Sequence, residues 1–467
     1  MLVQPLTVGP IVGATTPDAV RIWGRGKLEM IQSGPRRCFG VARIRSQNGR
    51  YSAPKFFKMN PNFDLTGIVI FDNLLPQKQY NYQIGWFFSD LEPDELNLRD
   101  FDWDKIAMYQ FTTTKEKNDE PISFVFGSCR YLLRLFGGSY FDDRGDKTFR
   151  SILEQISGGR PLDQIMMLGD QIYADDLNIL SNDKTLGEFY GRYRDAFSQP
   201  HIRQLMSQTP TYMTLDDHEI EDDWPANSSD RDWMVKYPAA IHAYQTYQIS
   251  HSPLFEVSGD RITGVPDHFW YKFSNGCADF FVTDCRTERY LAKDIADREI
   301  ISQEQMEAMQ SWLTDGSGRI KFMLSSVPVF PESKASNNDK WGGFPTQRSE
   351  LLDLIREEKI PRVVFLAGDV HSTFSCELVS RPKTPNFKII SLISSPYFWP
   401  YPHNPRRAFD LSGTISSTIS GIEYDVVNAG KVYATDNFSR VTADLNGVTM
   451  EVYGRKGHLL GTHTHSF

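Results

Sequence analysis

Apolar and polar positions follow two different patterns along this chain. In the first part the period is two. Val20-Arg21-Ile22-Trp23-Gly24 and Val41-Ala42-Arg43-Ile44 alternate as half-buried strands do. Gly67-Ile68-Val69-Ile70-Phe71 and Tyr80 to Trp86 continue the series, with Pro76 in the turn between them. Tyr109-Gln110-Phe111-Thr112-Thr113 closes it. Short strands with polar turns predict a small all-β sandwich over residues 1–116. The charged, apolar-free run Lys115 to Glu120 reads as a linker.

From Pro121 the pattern changes, and residues 121–467 read as a second, α/β domain. Its candidate core strands are Phe124-Val125-Phe126, Ile165 to Leu168, Tyr212 to Leu215, Phe280-Phe281-Val282, Phe322-Met323-Leu324 and Val363 to Leu366. Helices are predicted over Thr148 to Ile156, Leu186 to Met206 and Gln303 to Leu313. The last has Ser302 as N-cap, Gln305 three residues on, and Gly316 at its exit. Arg440 to Asp444 and Thr449 to Tyr453 flank Asn446-Gly447, which predicts a hairpin. Phe141 to Arg144 and Glu221-Asp222-Asp223 read as solvated loops. The tail His463-Thr464-His465 reads as a frayed terminus.

Composition narrows the classes. The chain has 467 residues, 40% hydrophobic and 23% charged, as in a soluble globular protein of more than one domain. Its net charge of −9 offers no basic field for nucleic acid or an anionic membrane, so nucleic acid enters only as a substrate. No apolar run reaches the roughly 18 residues of a membrane span. The N-terminus lacks a basic segment followed by an apolar one, so the expected compartment is cytoplasmic, or secreted or periplasmic if an export signal has been removed. Five scattered cysteines do not form a disulfide framework.

The chemistry gathers at strand exits. The first strand runs into Gly127-Ser128-Cys129-Arg130 and the second into Gly169-Asp170-Gln171-Ile172-Tyr173. Others end at Asp216-Asp217-His218-Glu219, Thr283-Asp284-Cys285-Arg286 and Gly368-Asp369-Val370-His371. In open α/β sheets ligands bind beyond the carboxyl ends of strands. A bridging carboxylate holds two cations about 3.5–4 Å apart, and Asp170 is the candidate. Cys129, Tyr173 and His371 favour a transition metal, with phenolate suited to ferric iron. Asp217 and Asp369 offer oxygen alone, which favours calcium, magnesium or manganese. Arg130 is read as a phosphate clamp. His218, flanked by carboxylates, is read as a protonated catalytic group facing the phosphoryl oxygens. Taken singly each residue is ordinary: Cys129 as a buried small hydrophobe, Asp216-Asp217 as a helix cap, His371 as a core histidine. Their joint occurrence at strand exits points to a metal site.

These motifs, in this order, resemble the PhoD-like alkaline phosphatases, a branch of the calcineurin-like metallophosphoesterases. Thr16 to Trp23 and Leu75 to Tyr82 resemble the family's N-terminal sandwich. Asp284-Cys285-Arg286, Trp341 to Pro345, and Ala243-Tyr244-Gln245 before His251 are similar to further family blocks. The resemblance implies an αββα metallophosphoesterase fold preceded by a small Ig- or fibronectin-like sandwich. It implies ferric iron held by Cys129, Asp170, Tyr173 and His371, and calcium held by Asp170, Asp217 and Asp369, with Mn2+, Mg2+ and Zn2+ as alternatives. The implied reaction is hydrolysis of small phosphate monoesters or diesters by a metal-activated hydroxide, with His218 at the catalytic-histidine position. A nuclease or phospholipase on the same fold is the alternative, and a catalytically inactive binding protein a third reading. Ser325 to Pro328 and Ser412 to Ser420 match no family block and are read as shaping the pocket.

Overall fold

The computed structural model describes residues 1–28, 30–31, 34–35, 37–91, 95–97, 101–132, 134–135, 140–141, 143–175, 182–259, 261–334, 337–385 and 387–467. Asp142, expected in a solvated loop, lies outside them. Val8–Thr15, Val20–Arg25 and Thr66–Phe71 form one antiparallel sheet. Lys55–Lys58, Cys38–Ser46, Gln79–Phe88 and Tyr109–Thr112 form another. Val12, Val20, Ile22 and Val69 of the first share a buried cluster with Ala42, Ile44, Tyr82, Ile84 and Phe111 of the second. Cys38–Ser46 and Gln79–Phe88 are buried along most of their length rather than alternately. Their outer face is covered by Phe101, Trp103 and Ile106, which pack on Phe39, Val41 and Phe87.

The first sheet lies directly on the rest of the chain. Trp23 Nε1 donates to Thr246 O at 3.0 Å, and Arg21 donates to the carbonyls of Ser252 and Phe255 at 2.9 and 2.6 Å. A Cβ on Gly13 would stand 2.2 Å from His251 O, so only glycine allows this approach. The Lys115 to Glu120 segment is also lodged. Lys115 N donates to Asn275 Oδ1, its Nζ reaches Asp163 at 2.7 Å, and Cys277 N donates to Glu120 O at 2.8 Å.

Two large sheets face each other in the remainder. One has the order Thr211–Thr214, Gln164–Leu168, Ile122–Gly127, Asn437–Asp444, Gly447–Gly454, Leu459–Ser466. The other runs Tyr271–Asn275, Ala278–Val282, Ile320–Ser325, Val363–Ala367, Ile389–Ile393, Phe374–Arg381, Glu423–Val427, Thr414–Ser416. The uninterrupted apolar runs are the parallel strands, which are covered on both faces and so need no alternation. Between the sheets Phe124 meets Phe280 and Phe322 edge-on at 5.9 and 5.4 Å. Phe149 and Ile152 of the helix Asp146–Ser157 join the buried cluster of the first sheet. Helices Gln303–Leu313 and Pro345–Glu357 cover the second through Met306, Trp312, Leu351 and Ile355.

Three local expectations are corrected. The stretch Leu186 to Met206 is two helices, Leu186–Phe197 and Pro200–Met206. Pro200 has no amide to continue the first helix, and Asp146 caps the second by accepting from His201 N and Ile202 N at 2.9 and 3.0 Å. The hairpin turns at Leu445-Asn446, because Asp444 pairs with Gly447 and its carboxylate accepts from Asn446 N and Gly447 N. The tail is an ordered edge strand, Leu459–Ser466. His465 there reaches across to the second sheet, with Nδ1 2.7 Å from Glu377 Oε1 and Nε2 2.9 Å from Ser375 Oγ.

Candidate metal centre

The parallel strands of both sheets end at one level, which brings four of the five polar exits together. Gly127 pairs with Met167, Leu168 with Thr214, and Ser325 with Ala367. Just past these ends the backbone turns sharply. Cys129, Asp170, Asp369 and His371 have φ of 56°, 55°, 67° and 49°, and Gly169 between them has 87°. Non-glycine residues seldom adopt this left-handed conformation, and it aims consecutive side chains into a common space. The fifth exit serves another purpose: Asp284 Oδ1 accepts from Arg286 N and Thr287 N, closing its own turn.

Asp170 lies at the centre, 2% exposed. Its Oδ2 is 3.2 Å from Cys129 Sγ and 3.3 Å from Tyr173 OH. Its Oδ1 is buried with no hydrogen-bond partner. Asp170, Asp217 and His218 offer ligand atoms all within 4.8 Å of one another. Burial pushes the Asp170 carboxyl well above its usual range; His218 opposes this, while Asp216, Asp217 and Glu219 add to it. An orphaned carboxylate oxygen among crowded carboxylates and a buried thiol is the donor set a cation requires, so these residues fit a metal centre. His371 stacks on Trp399 at 4.0 Å, and burial followed by the charge of His218 lowers its pKa to about 3, leaving a neutral imidazole. Asp369 stands on the other side, with its Oδ2 2.7 Å from Lys340 Nζ.

The surroundings of His218 favour its protonated form. Burial opposes protonation, but Asp217, Asp170 and Asp175 outweigh it and raise the pKa well above the usual value. Its Nδ1 is 2.8 Å from Asp175 Oδ2, and its ring lies 4.3 Å from that of Tyr173. Glu221-Asp222-Asp223 is exposed at Asp222 and Asp223, as a solvated loop is, and it borders this histidine. Asp222 N donates to Asp175 at 3.1 Å and Asp223 N to Asp217 at 2.7 Å.

Arg130 is not among the carboxylates. Its backbone N donates to Asp170 O at 2.9 Å, but its guanidinium donates to Ala196 O at 2.6 Å and lies over Phe149 and Phe197. The phosphate-clamp expectation for its side chain is corrected, because the chain direction after Cys129 carries it into the helix layer.

Several residues that hold the site were not singled out in the sequence. Buried Glu219 accepts from Asp170 N, Gln171 N and Asp216 N at 3.0, 2.7 and 2.8 Å, and from Gln248 Nε2 at 2.8 Å. One carboxylate thus pins both the Gly169 turn and the Asp216 turn. Arg286, fully buried, donates to Asp216 at 2.5 Å and forks onto Asp339 at 2.6 and 3.0 Å. Arg289 also donates to Asp339 at 2.6 Å. The signal available in sequence was adjacency, since Glu219 and Arg286 both lie within the quoted exit motifs. The Ser412 to Ser420 stretch lies on the helix Pro345–Glu357 instead of the site, with Ser417 and Ser420 donating to Asp353 at 2.7 and 2.9 Å.

The family pattern described as PhoD-like phosphatase matches residues 133–412. Alkaline phosphatase D of Bacillus subtilis (strain 168) is 23% identical over 428 residues, 80% of this chain and 66% of that protein. The chain therefore spans just under two thirds of that relative's length. Among solved structures, that of PhoD superposes with a TM-score of 0.70 at 17% identity, covering 99% of this chain and 89% of that one. Purple acid phosphatase PPD1 from yellow lupin (Lupinus luteus) seeds gives 0.60 at 15% identity, covering 98% and 74%. At these identities the structural likeness speaks for the mixed α/β fold.

Proposed function

Because the chain belongs to the PhoD-like phosphatase family, we propose that it hydrolyses phosphate esters at the cluster around Asp170 with the help of bound cations. The observation that carries this reading is the state of Asp170: one oxygen shared by Cys129 and Tyr173, the other buried and unpartnered. That is the disposition of a carboxylate meant to bridge two cations. Cys129, Asp170, Tyr173 and His371 are assigned to ferric iron, and Asp170, Asp217 and Asp369 to calcium. The cations supply an activated water and neutralise phosphoryl charge when bound.

The chain's own residues provide the rest. His218, tied through Nδ1 to Asp175 and with Nε2 3.7 Å from Asp222 Oδ1, offers Nε2 as the proton donor to the leaving oxygen. Glu219 holds the two loops that carry Asp170 and Asp217. Arg130 is assigned a positioning part through its backbone contact to Asp170. We read residues 1–116 as an Ig-like sandwich and 121–467 as the catalytic unit, supported by the shared core of the two small sheets.

The test is turnover of p-nitrophenyl phosphate and its bis ester, with elemental analysis of protein purified without chelator. Chelator-sensitive hydrolysis of either ester is expected, together with iron and calcium. A metal-loaded protein that turns over neither ester would sink the reading, and a different metal pair would sink the iron and calcium assignment alone.

A further inference from the structure

A wall of aromatic rings runs from the proposed ligand His371 to solvent. His371 stacks on Trp399 with 29° between the planes. Trp399 meets Tyr173 at 5.6 Å, Tyr131 at 5.9 Å and Tyr401 at 5.2 Å. Tyr131 also meets Tyr173 at 5.0 Å and Tyr401 at 6.2 Å. Exposure is graded along the way. Tyr131 and Tyr173 are buried, Trp399 is half-buried, and Tyr401 is 45% exposed.

A lone exposed aromatic needs no explanation. A graded series that ends at the proposed ligands does, because it offers a path from them to solvent for a group esterified to a bound phosphate. The backbone that carries Trp399 is held without any ligand. Trp399 N donates to Asp436 Oδ1 at 3.1 Å, and Asp436 is itself held by His403 at 3.2 Å and Arg455 at 3.3 Å. Preset faces bind with little ordering cost. The cluster formed by Tyr131, Tyr173, Phe398 and Trp399 contains aromatic residues alone, and its fringe of His403 and Asp436 is polar. Flat π-faces beside hydrogen-bonding groups suit a heterocycle better than an alkyl chain.

We propose that this wall selects phosphate esters whose alcohol part carries a planar heterocycle, nucleoside phosphates being the class it fits. The inference rests on the hydrolase reading above. The decisive comparison is adenosine 5′-monophosphate against ribose 5-phosphate. Both leave through the same primary C5 oxygen of ribose and differ at C1, base against hydroxyl, so the bond broken is alike and the ring is what is compared.

The metal-loaded protein is expected to favour the nucleotide by roughly 10-fold in kcat/KM, within what base–aromatic stacking supplies, and in calorimetric affinity. Tyr401→Ala should bring the ratio toward parity, and Tyr401→Phe should keep it. Parity in the unaltered protein, or a ratio that Tyr401→Ala does not move, overturns the proposal. Turnover of both esters without preference rejects ring selection and leaves the hydrolase reading standing. Turnover of neither, with the calorimetric preference present, rejects the hydrolase reading and supports ring selection.

Discussion

Cys129, Asp170, Asp369 and His371 share one backbone property, a left-handed φ, at three exits from otherwise regular strands. Each such residue costs on the order of 1–3 kcal/mol and persists because its surroundings overdetermine it. At the Gly169 turn the surroundings are visible: Glu219 accepts two amides there and a third from Asp216, which stands against the glycine. A Cβ on Gly169 would come within 2.4 Å of Asp216 Cβ. Gly169→Ala should therefore lower stability by about 1–3 kcal/mol or more and strip the protein of cations. A thermal melt and metal analysis check both; a variant matching the parent in both would refute the packing argument. Sequence placed the ligand candidates at this turn because Asp, Cys, Tyr and His have distinctive donor chemistry. It passed over Glu219, because a carboxylate that accepts amides has the same letter as one that binds metal. It misplaced the Arg130 side chain for a related reason: adjacency to Cys129 fixes where the backbone goes, not which way a long side chain leaves it.

The elements divide in the same way. The parallel strands were legible as apolar runs, since burial on both faces removes the polar alternation from their centres. Leu459–Ser466 was not legible, because an edge strand with alternating Thr and His looks like a solvated tail until its partner is known. Its anchor is the contact of His465 with Glu377 across the sheets. Burial raises the Glu377 carboxyl, but hydrogen bonds from His465 and Asn428 outweigh it and hold the pKa below the usual value. A depressed carboxyl stabilises the fold above its unfolded pKa, about 4.3, and that contribution is lost as pH falls through the folded value. His465→Ala should thus destabilise the protein at neutral pH and flatten its loss of stability below about pH 4. Urea melts at pH 7 and pH 3.5 measure this. An equal loss at both pH values would show that His465 acts by packing alone.

At the scale of the whole molecule, the two small N-terminal sheets and the two large ones share surfaces that neither part can leave open. Trp23 belongs to the buried cluster of the first large sheet, and Tyr82 donates to Ser207 O at 2.6 Å. Arg203 returns the contact, donating to Gly9 O and Leu6 O at 2.7 and 2.8 Å. A fragment of residues 117–467 is expected to lose cooperative unfolding and to aggregate, since it would bare this apolar face. A soluble fragment with one sharp transition by calorimetry would overturn that expectation. The segment from Lys115 to Glu120 sharpens the point. It is held by the turn between Tyr271–Asn275 and Ala278–Val282, through Asn275 and Cys277, and by Asp163 just before Gln164–Leu168. Its length and path are therefore part of the fit between the parts. A recombination point placed here would not yield interchangeable cassettes: a foreign N-terminal module would have to reproduce the contacts of Gly13, Arg21 and Trp23 before the graft could seat.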